Sequence, residues 1–152
     1  MNVEQNIYDE LCYYTLAHSD SSFIHQHVVD AFAAQNATEN GKPIKLTFAL
    51  VGLYLHIEKQ FTGRQVQLAH MKLGQEKQKW PVFSLPIRRG VVTAINVMAA
   101  PAGLERDKMI HQWCVSVWDA FSENRPVVLS LLAKNKNIWK GKCLMPSSYG
   151  SL

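Results

Sequence analysis

The sequence predicts an all-α fold: a single-domain bundle of five to seven helices around one central, buried apolar helix. Three observations carry this. Apolar residues recur at spacings of three and four along most of the chain, the period of one helix face. Residues 44–60 are apolar nearly all the way round, as a helix covered on every side must be. Strand-like runs are confined to Val91-Val92 and Val127-Val128, each too short to pair.

The elements follow in order. A first helix is expected over 4–18, with Ile7, Leu11, Tyr14 and His18 on one face and Glu4, Asp9 and Glu10 early in it, where acids suit the helix dipole. Ser19 to Ser22 breaks that pattern and offers cap side chains to a second helix, 23–36, striped by Ile24, Val28, Ala31 and Gln35. Asn40-Gly41 marks a turn before the central helix, 44–60. Within it Gly52 costs helix stability, which suggests a point where a neighbouring helix comes close. Thr62 caps a fourth helix to about Lys77, with Val66, His70 and Leu73 along one side. Trp80-Pro81 and Leu85-Pro86 enforce an extended connection. Thr93 caps a short helix, 94–99, and a long one follows over 104–122 with Ile110, Trp113, Val117 and Phe121 in a stripe. Pro126 suits the first turn of a last helix that runs to Lys134. The helical domain therefore covers 1–138, and 139–152, punctuated by Gly141, Pro146 and Gly150, reads as an irregular C-terminal tail.

Composition excludes several classes. The chain has 152 residues, 47% apolar and 18% charged, enough to build one core without staples. A net charge of +4 is too mild and too dispersed for a nucleic-acid stripe. Its local clusters, Arg88-Arg89 and Lys134, Lys136, Lys140 and Lys142, read as solvated surface. Cys12, Cys114 and Cys143 are far apart and form no CxxC pair, so no disulfide framework is expected. No basic segment leads into an apolar one at the start, and the longest apolar stretch, 46–57, is too short to span a bilayer. The expectation is a cytoplasmic protein without a membrane segment.

Phosphate-binding glycine patterns, the nucleophile elbow and the HExxH zinc signature are all absent. What remains is a scatter of histidines and carboxylates on three expected helices: His25, His27 and Asp30 on the second, His56 and Glu58 on the third, His70 on the fourth. Bundle metal sites are built from such groups when several helices aim them at one interior point. The reading is a divalent metal, zinc, iron or manganese, held by His25, His56 and His70 with Asp30 or Glu58 assisting. It would serve hydrolytic or transfer chemistry on a small molecule. The rival reading makes these histidines structural, in a non-enzymatic binding or interaction module that forms a homo-oligomer, a homodimer through exposed apolar helix faces. Whether the protein is an enzyme stays open at this point. Alternating histidines face opposite sides of a helix, so only one of His25 and His27 is expected to point inward. Weaker candidates are the thiols of Cys12 and Cys114, the latter three residues after His111, and an anion site at Thr62-Gly63-Arg64.

The ordered set of local patterns also carries a resemblance. His25 to Asp30 followed by Ala31-Phe32-Ala33-Ala34-Gln35, then Gly52-Leu53-Tyr54-Leu55 with Glu58, then Trp80-Pro81, Thr93 to Ala100, and Trp113-Cys114-Val115-Ser116-Val117-Trp118 occur in that order. In this the chain, from about residue 12 to 133, resembles an uncharacterised bacterial helical family, domain of unknown function fifty-nine forty-six. The resemblance implies an all-helical fold and no activity. It also leads one to expect histidines where this chain has Asn36 and Ala49, in which case His56 and His70 would substitute for them.

Overall fold

The computed structural model of the chain describes residues 2–18 and 20–138; the expected tail, with Cys143 and two of the four C-terminal lysines, lies outside the described residues. Among the described residues seven α-helices follow one another: α1 Val3–Ala17, α2 His25–Gln35, α3 Pro43–Lys59, α4 Gly63–Gly74, α5 Ala94–Ala99, α6 Leu104–Ala120 and α7 Arg125–Lys134. Single 3-10 turns, Ser122–Asn124 and Lys136–Ile138, flank α7. Among the described residues there is no strand, and no helix is long and apolar enough to cross a membrane.

The capping chemistry explains most boundaries. Asn2 accepts from the Gln5 amide to start α1. Thr62 and Gln65 form a reciprocal capping box on α4, and Thr93 with Asn96 does the same for α5. The start of α4 is therefore satisfied from within the chain, with Arg64 N–H on the Ser22 carbonyl at 2.8 Å, which removes the case for an anion site there. α4 stops at Gly74, three residues short of the expected Lys77, because a glycine ends its last turn. α2 begins later than expected and has no side-chain cap; Asp20 spends its carboxylate on the amides of Ser22 and Ile24 just before it.

α3 is the axis of the bundle. It packs against α2, α4, α6 and α7, and its buried residues run unbroken from Ala49 to Leu55. α1 lies on α2 and α5, and α6 closes the far side against α2, α3 and α5. The core joins Leu50, Leu53 and Leu55 to Val28, Val66, Leu73, Ile110, Trp113, Val117 and Phe121, every one shielded from solvent. Each side chain of this size stabilises the fold by about 1.5–3 kcal/mol on burial, which offsets the entropy of ordering the chain.

The irregular stretch between α4 and α5 is fastened at several points. Asn124 brackets Ser84, accepting from its amide at 2.8 Å and donating to its carbonyl at 2.7 Å. The Gln35 amide group donates to the carbonyls of Arg89 and Val92 and accepts from Trp113 Nε1 at 2.9 Å. Arg89 returns hydrogen bonds to the carbonyls of Pro86, Gln35 and Ala37.

Candidate functional site

The fold separates the five residues singled out in the sequence. His25 stays at the α1–α2 contact, its Nδ1 2.9 Å from Thr15 Oγ1. Glu58 is taken by structure: Arg125 grips its carboxylate with both nitrogens at 2.7–3.0 Å and Trp118 Nε1 donates to it at 2.8 Å. The Arg125 hydrogen bonds hold that carboxyl below its usual range. His56 joins a different group, described below. Only Asp30 and His70 meet.

They meet behind Gly52. A Cβ built on that glycine would overlap the Asp30 carboxylate, coming within 2.7 Å of its Cγ and 3.1 Å of His70 Nε2. The glycine expected to admit a neighbouring helix in fact makes room for a carboxyl group carried by that helix. Asp30 Oδ1 accepts from Gln26 Nε2 at 3.1 Å, one turn earlier on α2. The same amide nitrogen lies 3.4 Å from His70 Nδ1. Asp30 Oδ2 and His70 Nε2 face each other at 4.0 Å, too far for a hydrogen bond, and neither buried atom has another partner. Their side chains are 4% and 11% exposed, so two polar atoms are left at the desolvated end of a site.

Burial sets their charge. It pushes the Asp30 carboxyl well above the ordinary carboxylate range, against the opposing pull of the Gln26 hydrogen bond. It lowers the His70 imidazole to about 4, with the Phe48 backbone working the other way. Both shifts favour the uncharged forms, a carboxylic acid beside a neutral imidazole, over an ion pair. Such a pair offers donors and acceptors to an incoming group without carrying net charge.

The pair borders a cavity of about 330 Å³ in the groove between α2, α3 and α4, walled by Val29, Ala33, Ile44, Phe48 and Ala49. Ala49 is one of the two positions where the resemblance led to an expected histidine; here it leaves space instead. A second cavity of about 440 Å³ continues along the α2–α3 hairpin and shares Ala33 and Lys45 with the first. Its far wall is Pro81, Val82, Phe83 and Leu85 from the fastened irregular stretch.

The other histidines form a second group that sequence reasoning missed. His27, not His25, turns inward, and its ring stacks on His56 at 3.5 Å between centroids. His111 from α6 meets His56 edge-on at 5.3 Å. His56 Nδ1–H donates to the Phe61 carbonyl at 3.2 Å. Burial lowers His56 to about 4 and His27 well below its ordinary value, with His111 nearby adding to both shifts. Stacked, nearly parallel rings direct their lone pairs alongside one another rather than at a common point. Among the described residues no three His, Cys, Asp or Glu side chains are arranged to hold a metal ion. The signal for His27 is its spacing of three from Asp30, one turn away on the same buried face of α2. The Cys114 thiol is fully buried and pushed up by desolvation, with its Sγ 3.6 Å from the His27 carbonyl, so it packs rather than attacks.

Fold and site together define an all-helical bundle protein with a buried acid–imidazole pair bordering a mostly apolar groove. The chain belongs to DUF5946, a family of unknown function, which matches residues 5–122. No curated protein and no solved structure matches it.

Proposed function

We propose that this protein binds a small molecule in the α2–α3–α4 groove, and that Asp30 and His70 recognise its polar group. One observation carries the reading: two unpartnered polar atoms, buried behind Gly52 and facing each other across 4.0 Å, belong to the two residues, Asp30 and His70, that line a mostly apolar cavity. Leaving a polar group unsatisfied in a core costs about 1–3 kcal/mol, so a ligand hydroxyl, carbonyl or amide that bonds to both atoms gains what the empty fold forgoes. The apolar walls then select a body without charge.

The test is protein-observed NMR with 1-octanol as probe. Resonances of Gln26, Asp30, Ala49 and His70 should shift in the wild type and stay still in Asp30→Leu. Equal shifts in the variant, or shifts confined to other faces, would remove Asp30 from the site and end the proposal.

A second reading keeps the metal. Asp30 and His70 are an oxygen and a nitrogen donor without competing partners, a combination that zinc, iron or manganese accepts. It predicts about one ion per chain by elemental analysis of protein purified without chelator, lost in His70→Ala. A metal-free protein that zinc, iron and manganese all fail to stabilise leaves the small-molecule reading standing alone.

Two further expectations belong to the same proposal. Tyr13 and Leu16 on α1 and Leu68 and Met71 on α4 are exposed apolar side chains on helix faces and give a homodimer its surface, which light scattering would show as twice the chain's mass. Cys12 and Cys114 are free thiols, in keeping with the reducing cytoplasm.

A further inference from the structure

The two cavities share walls but differ in chemistry, and the difference names a ligand. The inner one, at Asp30 and His70, has Lys45 at its boundary and one acid, Asp30, whose carboxyl burial pushes toward its uncharged form. The outer one lies at the start of α3, where Lys42 is the N-cap and Lys45 the third helical residue. That placement is backwards. Helix starts favour acids and side-chain caps, because free amides and the helix dipole make the N-terminus positive. α3, the axis of the bundle, has no acid in its first turn and no side-chain cap, and it adds two lysine charges to the positive end. Both lysines are exposed, and among the described residues neither joins an ion pair. Of the cavity's walls only Glu39 carries opposing charge.

Between these ends the walls are apolar: Ala33, Ile44 and Phe48 inside, Phe32, Leu46 and Phe83 outside. Along α3, Lys45 lies seven residues before Gly52, against which Asp30 and His70 pack, roughly 10 Å of helix. An extended chain advances about 1.2 Å per bond, so about eight to ten bonds bridge the two ends.

Building on the reading of Asp30 and His70 as a ligand site, we propose that the groove takes an elongated anionic amphiphile. Its carboxylate rests at Lys42, Lys45 and the start of α3, and a neutral polar group at its other end reaches Asp30 and His70. The unpartnered Oδ2 of Asp30 fixes the inner end of this ligand, and the lysines fix the sign of the outer one.

Calorimetric titration with 10-hydroxydecanoate, and with 1,10-decanediol as its uncharged counterpart, tests this on the full chain. The hydroxy acid should bind roughly five- to tenfold tighter than the diol at low salt. The double variant Lys42→Gln/Lys45→Gln should erase that preference, bringing acid and diol to equal affinity. Both substitutions are at exposed positions, and unchanged helical circular dichroism would show that the fold is intact. Equal affinity of acid and diol for the wild type, or an unaltered preference in the lysine variant, overturns the anionic ligand class. Asp30→Leu separates the two claims. If it weakens both probes while the lysines have no effect, the inner site stands and this inference falls. If the lysines matter and Asp30→Leu does not, the inner recognition falls, and with it a ligand that spans both ends. Binding of neither probe refutes the inference outright.

Discussion

Lowering the pH should unfold this protein earlier than its carboxylates alone would, and the size of the effect follows from buried imidazoles. His56 and His70 are both depressed to about 4 by burial, and His27 is depressed as well. An unfolded histidine takes up a proton near pH 6.5, whereas these folded ones refuse it until about 4. Between those values the unfolded chain binds more protons, so stability is fully present above about pH 6.5 and is lost as the pH falls toward 4. For one such histidine the loss between about pH 7.5 and about pH 4.5 is roughly 2–3 kcal/mol. His56 and His70 together then remove roughly 5 kcal/mol, comparable with the whole stability of a marginal domain. Asp30 works in the opposite direction: its raised pKa means the folded state holds a proton that the unfolded state has released, so acid favours folding through that one group. The assay is urea denaturation at the two pH values for wild type, His70→Gln and Asp30→Asn. The wild type should lose less than that sum because of the Asp30 offset, His70→Gln should lose roughly 2–3 kcal/mol less than the wild type, and Asp30→Asn more than the wild type. An Asp30→Asn variant equally stable at both values, or a His70→Gln variant with an undiminished loss, would mean that these rings are not held neutral by burial.

Three other outcomes follow from named contacts. Gly52→Ala should destabilise by about 2–3 kcal/mol in thermal unfolding despite alanine's better helix propensity, because the new methyl overlaps Asp30; Gly52→Ala/Asp30→Ala should recover most of it. Ala49→His would add an imidazole to the groove beside Asp30 and His70 and complete a three-donor set, so calorimetry should show zinc binding tighter than in the wild type. Gln35→Leu leaves the fully buried Trp113 indole N–H and two carbonyls without their partner, and should cost about 2–4 kcal/mol in urea denaturation.

The helices were legible because each wears its period and often its cap. The stripe through Val28, Ala31 and Gln35 and the capping threonines Thr62 and Thr93 are local signals, and local signals decide local structure. The site was legible only in its parts. Asp30 and His70 could be named by type, but their meeting depends on how α4 is rotated against the α2–α3 hairpin, which no residue spacing encodes. Glu58 misled for a related reason: its partners, Trp118 and Arg125, arrive from 60 and 67 residues away. The choice of His27 over His25 turned on which face of α2 looks toward α3 and α6, and Thr15 on α1 claims the other ring.

The stretch carrying Pro81 to Leu85 has no regular secondary structure, yet Asn124 clasps it at Ser84 and Gln35 and Arg89 clasp it further along. Gln78, exchanging amide hydrogen bonds with Asn135, fastens the near side, and a wall stapled on both flanks does not swing aside. Admission to the groove is then left to single side chains, above all the long Lys45 where the two cavities adjoin. Exposed side chains change rotamer in picoseconds to nanoseconds, whereas hinged elements take microseconds or longer. A guest would thus come and go at a pace set by a swivelling lysine and by its own fit, with the backbone of the bundle standing still.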